Sequence, residues 1–167
     1  MPAESFLERL MKEYGDMLLR MCYLYLKDYY LAQDAVQETF LKAMKAYGSF
    51  EHKASEKTWL TRIAVNCCKN IMRNRWFGII RVNPEHLPEE TGANPMDDFL
   101  EKECISTAIM KLNPGDRQVL VLYYYQELSV REIARIIGRT ENAVIQRLNR
   151  ARGRLKKILT EVGYGEI

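Results

Sequence analysis

Apolar residues recur at three- and four-residue spacing through most of the chain. No segment alternates with the period of two that a half-buried strand needs. Phe6, Leu10, Met17, Met21 and Leu24 mark a first helix over Ser5–Lys27. Asp28-Tyr29-Tyr30 reads as a short break, and Leu31–Tyr47 as a second helix stopped by Gly48. A third runs over Ser55–Arg75, with Ser55 or Thr58 as its N-cap. Gly78, Pro84, Pro88, Gly92 and Pro95 then interrupt the periodicity, and residues 78–95 read as a linker. Helical spacing returns over Met96–Lys111. Asn113-Pro114-Gly115-Asp116 is a turn, with Asp116 placed to cap a helix reaching about Tyr125.

The sharpest local pattern follows. Ser129-Val-Arg-Glu132 is a capping box, in which Ser and Glu each satisfy a backbone N–H of the other's turn. It opens a helix over Val130–Ile137. Gly138 stops that helix, and Thr140 caps another running to about Leu159. Two helices joined by a short glycine-containing turn are a helix-turn-helix. Ala134 is small enough for the two to cross closely. Ile133, Ile137, Val144 and Leu148 supply their apolar contact. The expected fold is all-α: two small helical domains, residues 1–77 and 96–167, joined by a flexible acidic linker, the C-terminal domain being the helix-turn-helix.

At 100° per residue, Val144, Leu148, Ala151, Leu155 and Ile158 share the core face of the last helix. Asn142, Gln146, Asn149 and Arg150 lie opposite, with Arg147 and Arg154 on one flank. Asn and Gln amides can pair bidentately with adenine, and Arg with guanine. Seven basic residues and one acid, Glu141, lie between Arg139 and Lys157. That excess favours a polyanion over plain solvent. The third helix repeats the division. Leu60, Ile63, Ala64, Cys67 and Ile71 form its apolar stripe. Thr58, Arg62, Asn66, Lys69 and Arg73 form the opposite one, with Trp59 beside it. Such a face suits a nucleic-acid backbone or an unstacked base, whereas Trp59 alone is equally compatible with a core position.

Charge adds a little. The net charge of +3 is unremarkable. However, residues 1–77 carry 12 basic and 9 acidic side chains, 78–111 carry 3 and 7, and 112–167 carry 10 and 6. Two mildly basic blocks flank an acidic middle, compatible with two contacts to one polyanion. No stretch is long and apolar enough to span a bilayer, and the N-terminal residues do not read as a signal peptide. Cys22, Cys67, Cys68 and Cys104 include no CxxC pair, so reduced thiols in a cytoplasmic protein are expected. His52 and His86 have no ligand partners at metal spacing, and there is no glycine-rich phosphate loop. Asp97, Asp98, Glu101 and Glu103 fit a solvated helix start. The expectation is a binding protein with no catalytic residues, metal, cofactor or small-molecule substrate.

Five segments occur in a telling order: Asp34-Ala-Val-Gln-Glu38-Thr-Phe40, Thr58-Trp-Leu-Thr-Arg-Ile-Ala-Val-Asn66, Leu112-Asn-Pro-Gly-Asp-Arg-Gln-Val-Leu120, Leu128-Ser-Val-Arg-Glu-Ile-Ala134 and Asn149-Arg-Ala-Arg-Gly-Arg-Leu155. Together, over about residues 5–160, they resemble a bacterial sigma factor of the extracytoplasmic-function (ECF) group. The resemblance implies a subunit that directs core RNA polymerase to promoters. It implies docking on the clamp helices of the polymerase β′ subunit by Asp34, Gln37, Glu38 and Phe40, with Gln33, Leu41 and Met44, and a further contact to the β subunit. It implies capture of the minus-ten promoter element by Thr58, Trp59, Arg62, Asn66, Lys69 and Arg73, with the loop of about residues 50–57. An unpaired base of the non-template strand would be flipped there. It implies reading of the minus-thirty-five element by Arg139, Thr140, Asn142, Gln146, Arg147, Asn149, Arg150 and Arg154. An anti-sigma protein is a further implied partner. The recognition helix departs from the family pattern: Ile145 and Gln146 stand where a basic residue and a serine are common. The alternative is a stand-alone helix-turn-helix regulator whose N-terminal half senses or dimerises.

Overall fold

A computed structural model describes residues 3–81 and 104–161, with side chains described over 5–74 and 105–161. The chain divides into two compact units, Met1–Pro95 and Met96–Ile167. All regular structure among the described residues is helical.

In the first unit, α1 (Ala3–Leu26), α2 (Tyr29–Lys45) and α3 (Glu56–Arg81) pack on one another pairwise. Early in α1 one stripe is buried, through Phe6, Leu10 and Leu18. Its last six residues, Met21–Leu26, are buried all round, so this end of the helix runs through the core. Lys27 ends it in the left-handed region, at φ 62°. Asp28, read from the sequence as part of a break, is the N-cap of α2: its Oδ1 accepts from the Leu31 N–H at 3.0 Å. Ala32, Ala35 and Ala43 are fully buried and let α2 lie close to its neighbours. A short 3₁₀ turn, Tyr47–Ser49, leads into the connection to α3. Ser55, not Thr58, caps α3, its Oγ accepting from the Thr58 N–H at 3.1 Å. Cys22, Cys67 and Cys68 are buried free thiols. The Cys22 thiol is held well above its usual range by its hydrogen bond to Cys68 and by burial.

The expected end of the third helix needs correction. Helical backbone continues to Arg81, through Gly78, where the linker was expected to begin. A single helical glycine costs only about 1 kcal/mol relative to alanine, too little to stop a long helix. The rest of the expected linker, and the expected helix start at Met96, lie outside the described residues.

The second unit contains α4 (Cys104–Ile109), α5 (Pro114–Leu120), α6 (Val130–Ile137) and α7 (Glu141–Glu161), with a single π turn at Val121–Tyr125. Asn113, not Asp116, caps α5: its Oδ1 accepts from the Asp116 N–H at 2.9 Å. Pro114 takes the first helical position, where a missing N–H costs nothing. Both bonds of the Ser129/Glu132 capping box form at the start of α6. Gly138 ends α6 at φ 69°, ψ 38°, a conformation that strains any residue with a β-carbon. Thr140 Oγ1 accepts from the Ala143 N–H at 3.1 Å and opens α7. Ile133, Val144, Leu148 and Ala151 are buried between these helices, so the helix-turn-helix is fully built.

Candidate functional site

Three surfaces gather the polar residues singled out from the sequence. On α2, Asp34, Gln37 and Leu41 are exposed, Leu41 at 53%. Tyr30, one turn before Asp34, is 72% exposed and extends the same stripe. Glu38 is half-buried and pairs with Lys42 at 3.1 Å; that hydrogen bond holds the Lys42 ammonium above its usual range. Gln33 donates to Tyr29 Oη at 2.9 Å, and Met44 is half-buried. Phe40, which the resemblance implied as a docking residue, is corrected: it is buried in the core at 5% exposure. Six positions from Asp34 it falls on the far side of the helix and anchors α2, while its neighbour Leu41 faces out.

On α3, Arg62, Asn66 and Arg73 are exposed, while Thr58, Trp59 and Lys69 are half-buried. Leu60, Ala64 and Cys67 are buried on the opposite side. Asn70 and Asn74 are also exposed on this helix; the sequence reading missed both. The preceding loop is stapled at both ends. Glu56 accepts from Arg9 of α1 at 2.7 Å. Phe50 stacks on Trp59, with centroids 4.3 Å apart at 20°, and the His52 ring lies 4.3 Å from Phe50, tilted by 51°. Trp59 is therefore neither core nor a bare exposed ring. It is one wall of an aromatic cluster at the base of an otherwise exposed loop, Glu51–Ser55.

On α7, Asn142, Gln146, Asn149 and Arg150 are exposed, with Ile145 among them at 44%. Arg139 and Thr140 are exposed just before the helix. Arg147 and Arg154 turn towards the start of α5 instead. A β-carbon on Gly115 would lie 3.6 Å from Arg147 Nη1. Arg154 Nη1 donates to Asp116 Oδ2 at 2.5 Å. Two further sets of residues escaped the sequence reading. Arg131 and Arg135 are exposed along an open groove of about 400 Å³ that also touches Arg139, Thr140 and Glu141. Like charges four apart, as Arg131 and Arg135 are within α6, weaken a helix by a few tenths of a kcal/mol, a local cost that an anion would relieve. Arg152 is half-buried. Its guanidinium lies over the Tyr123 and Tyr124 rings at 5.2 and 5.5 Å and donates to Tyr124 Oη at 2.6 Å. The four-residue spacing signals the first set. Nothing local signals Arg152, because its partners come from the π turn.

The described residues contain no cluster of His, Cys, Asp or Glu able to hold a metal. None of their helices is long and apolar enough to cross a membrane.

Comparison with known proteins finds two family matches along the chain. Sigma-70 region 2 matches residues 10–77, and Sigma-70 region 4 matches residues 102–155. The RNA polymerase sigma factor YlaC of Bacillus subtilis is 34% identical over 163 residues, covering 93% of this chain and 92% of that protein. The ECF RNA polymerase sigma factor SigW of the same organism is 30% identical, covering 89% and 86%. The ECF sigma factor BldN of Streptomyces coelicolor is 30% identical over 92% of this chain, which spans only 60% of BldN's length. Among solved structures, the sigma factor RpoE in complex with the anti-sigma factor NepR from Bartonella quintana is 26% identical. It covers 92% of this chain and 98% of that one, with a TM-score of 0.68. CnrH, solved with the cytosolic domain of CnrY, shares the fold at TM-score 0.67 and 24% identity, covering 95% and 90%.

Proposed function

The chain belongs to the ECF group of RNA polymerase sigma factors, and on that premise we propose that its three polar surfaces divide the work of promoter recognition. Residues 1–77 form the polymerase-docking and minus-ten unit. Residues 96–167 read the minus-thirty-five element, and the residues between the end of α3 and Met96 join the two. The outward stripe of α2, through Asp34, Gln37, Glu38 and Leu41, docks on the β′ clamp helices, with Gln33 and Met44 at its margin. Phe40 sets the orientation of that stripe from the core side. The second unit makes the further contact to the β subunit.

On α3, Arg62, Asn66, Lys69 and Arg73 hold the non-template strand. Thr58 and Trp59 lie where the helix meets the loop that receives the flipped base. Extracting that base costs a few kcal/mol, so stacking and polar contacts must offset it. In the second unit, α7 enters the major groove. Asn142, Gln146, Asn149 and Arg150 face base edges, and Ile145 offers an apolar contact to a thymine methyl. Arg139 and Thr140, with Arg131 and Arg135 alongside, meet phosphates of the flanking backbone. Arg147 and Arg154 hold α7 against α5.

The observation that carries this reading is within the first unit. It presents an exposed stripe of Asp34, Gln37 and Leu41 on α2 and a second, cationic and amide-rich stripe on α3. A stand-alone regulator needs only the helix-turn-helix. The protein thus acts by binding, in the cytoplasm beside the polymerase and chromosome. An anti-sigma protein holds it inactive, the kind of partner with which RpoE was solved. The test is transcription in vitro from a candidate promoter by core polymerase, with and without this protein. Promoter-specific transcripts only in its presence are the expected result. DNA binding without stimulation would favour the regulator instead.

A further inference from the structure

The structure assigns Arg152 a role that its place in the sequence does not suggest: it fixes which edge of the Asn149 amide faces DNA, and so which bases that residue accepts. The inference rests on the reading of α7 as the base-reading helix.

Arg152 Nη1 donates to Asn149 Oδ1 at 3.3 Å. A guanidinium has donors only, so the atom of Asn149 turned towards it must be the carbonyl oxygen. Arg152 is itself held on other sides, by Tyr124 Oη at 2.6 Å and by the faces of Tyr123 and Tyr124. The arginine is the fixed partner and the exposed asparagine the adjustable one. With its oxygen drawn back to Arg152, Asn149 presents its NH₂ outwards. Bidentate pairing with adenine needs both edges of the amide, the oxygen accepting from N6 and the NH₂ donating to N7. A donor-only edge pairs with both O6 and N7 of guanine or with O4 of thymine, but at adenine it reaches only N7, and the N6 amino group then faces another donor. Asn149 is thus set against adenine at its position, although an unrestrained asparagine favours that base. Arg152 is a positioning residue; it need not touch DNA.

The experiment is selection from promoters randomised across the minus-thirty-five element, using core polymerase reconstituted with the full chain. Wild type should prefer guanine or thymine over adenine at one position. Asn149→Ala should abolish that preference. Arg152→Leu should shift that position towards adenine by roughly tenfold and leave the others unchanged. A purely packing role would instead lower binding to every sequence alike. Should Arg152→Leu lose helical content, Tyr124→Phe removes the acceptor that locks Arg152 and should produce the same shift in smaller measure. An unchanged profile in Tyr124→Phe and in folded Arg152→Leu, with Asn149→Ala altered, overturns the role of Arg152 alone. An unchanged profile in Asn149→Ala overturns both this inference and the placement of Asn149 at a base edge.

Discussion

Arg154 and Asp116 form an ion pair in which only one partner is buried: the carboxylate is 6% exposed and the arginine side chain 55%. Asp116 also accepts from Asn113 Nδ2 at 2.9 Å, and Asn113 caps α5. The pair therefore ties the recognition helix to the cap of the helix that supports it. Arg154→Ala should cost about 1 kcal/mol, a value kept small because water screens the exposed arginine. Urea unfolding should give a lower midpoint with an unchanged m-value. Base preference in promoter selection should not move. A uniform loss of DNA affinity without loss of stability would instead make Arg154 a contact to the DNA backbone.

Adjacent residues Phe40 and Leu41 should fail in opposite ways. Phe40→Ala empties a core position and should destabilise the first unit by about 3–5 kcal/mol. Leu41→Ala, or Gln37→Ala with Glu38→Ala, should leave helical content intact and weaken co-purification with core polymerase. Losing the half-exposed Glu38–Lys42 pair costs only about 0.5 kcal/mol. Circular dichroism and pull-down together make the check. Full polymerase binding by the Gln37/Glu38 double variant would remove α2 from the interface.

The contrast shows what was legible in the sequence. Where a single helix carries its own partners, pattern suffices. Ser129 and Glu132 complete their box within four residues, and Gly138 sits where the left-handed turn needs it. The α2 stripe obeys the same rule, and the helical wheel alone excludes Phe40, although the motif that contains it does not. Orientation set by distant partners was not legible. Arg154 meets Asp116 across 38 positions and Arg152 meets Tyr124 across 28. Both arginines lie in a basic run whose composition points to DNA whatever their individual partners. The end of α3 was not legible, because Gly78 resembles a stop signal yet the helix runs through it to Arg81.

Arg131 and Arg135 should differ from Gln146 in their response to salt. Replacing the two arginines with alanine should weaken binding to all minus-thirty-five sequences. It should also reduce the slope of log K against log salt by about 0.9 for each phosphate that is no longer neutralised. Gln146→Ala should cost about 1–3 kcal/mol at one base pair and leave the slope unchanged. Fluorescence anisotropy across a salt series separates the two. An unaltered slope in the arginine double variant would show that the groove beside α6 does not hold the DNA backbone.

Promoter opening tests the first unit most directly. Arg62, Asn66 and Arg73 project from α3 on the side away from buried Leu60, Ala64 and Cys67, so replacing them leaves the core packing intact. Asn66 combines two donors and an acceptor on a short side chain and can address a base edge. Arg73 carries a fixed charge and can hold a phosphate. Asn66→Ala and Arg73→Ala should therefore assemble with core polymerase normally yet open the promoter poorly. The Arg73→Ala defect should shrink at low salt, where the remaining cations hold the strand more tightly, whereas the Asn66→Ala defect should persist. Permanganate footprinting of unpaired thymines around the minus-ten element reads opening without requiring a transcript. Wild-type reactivity in both variants at moderate salt would show that this face of α3 does not hold the separated strand.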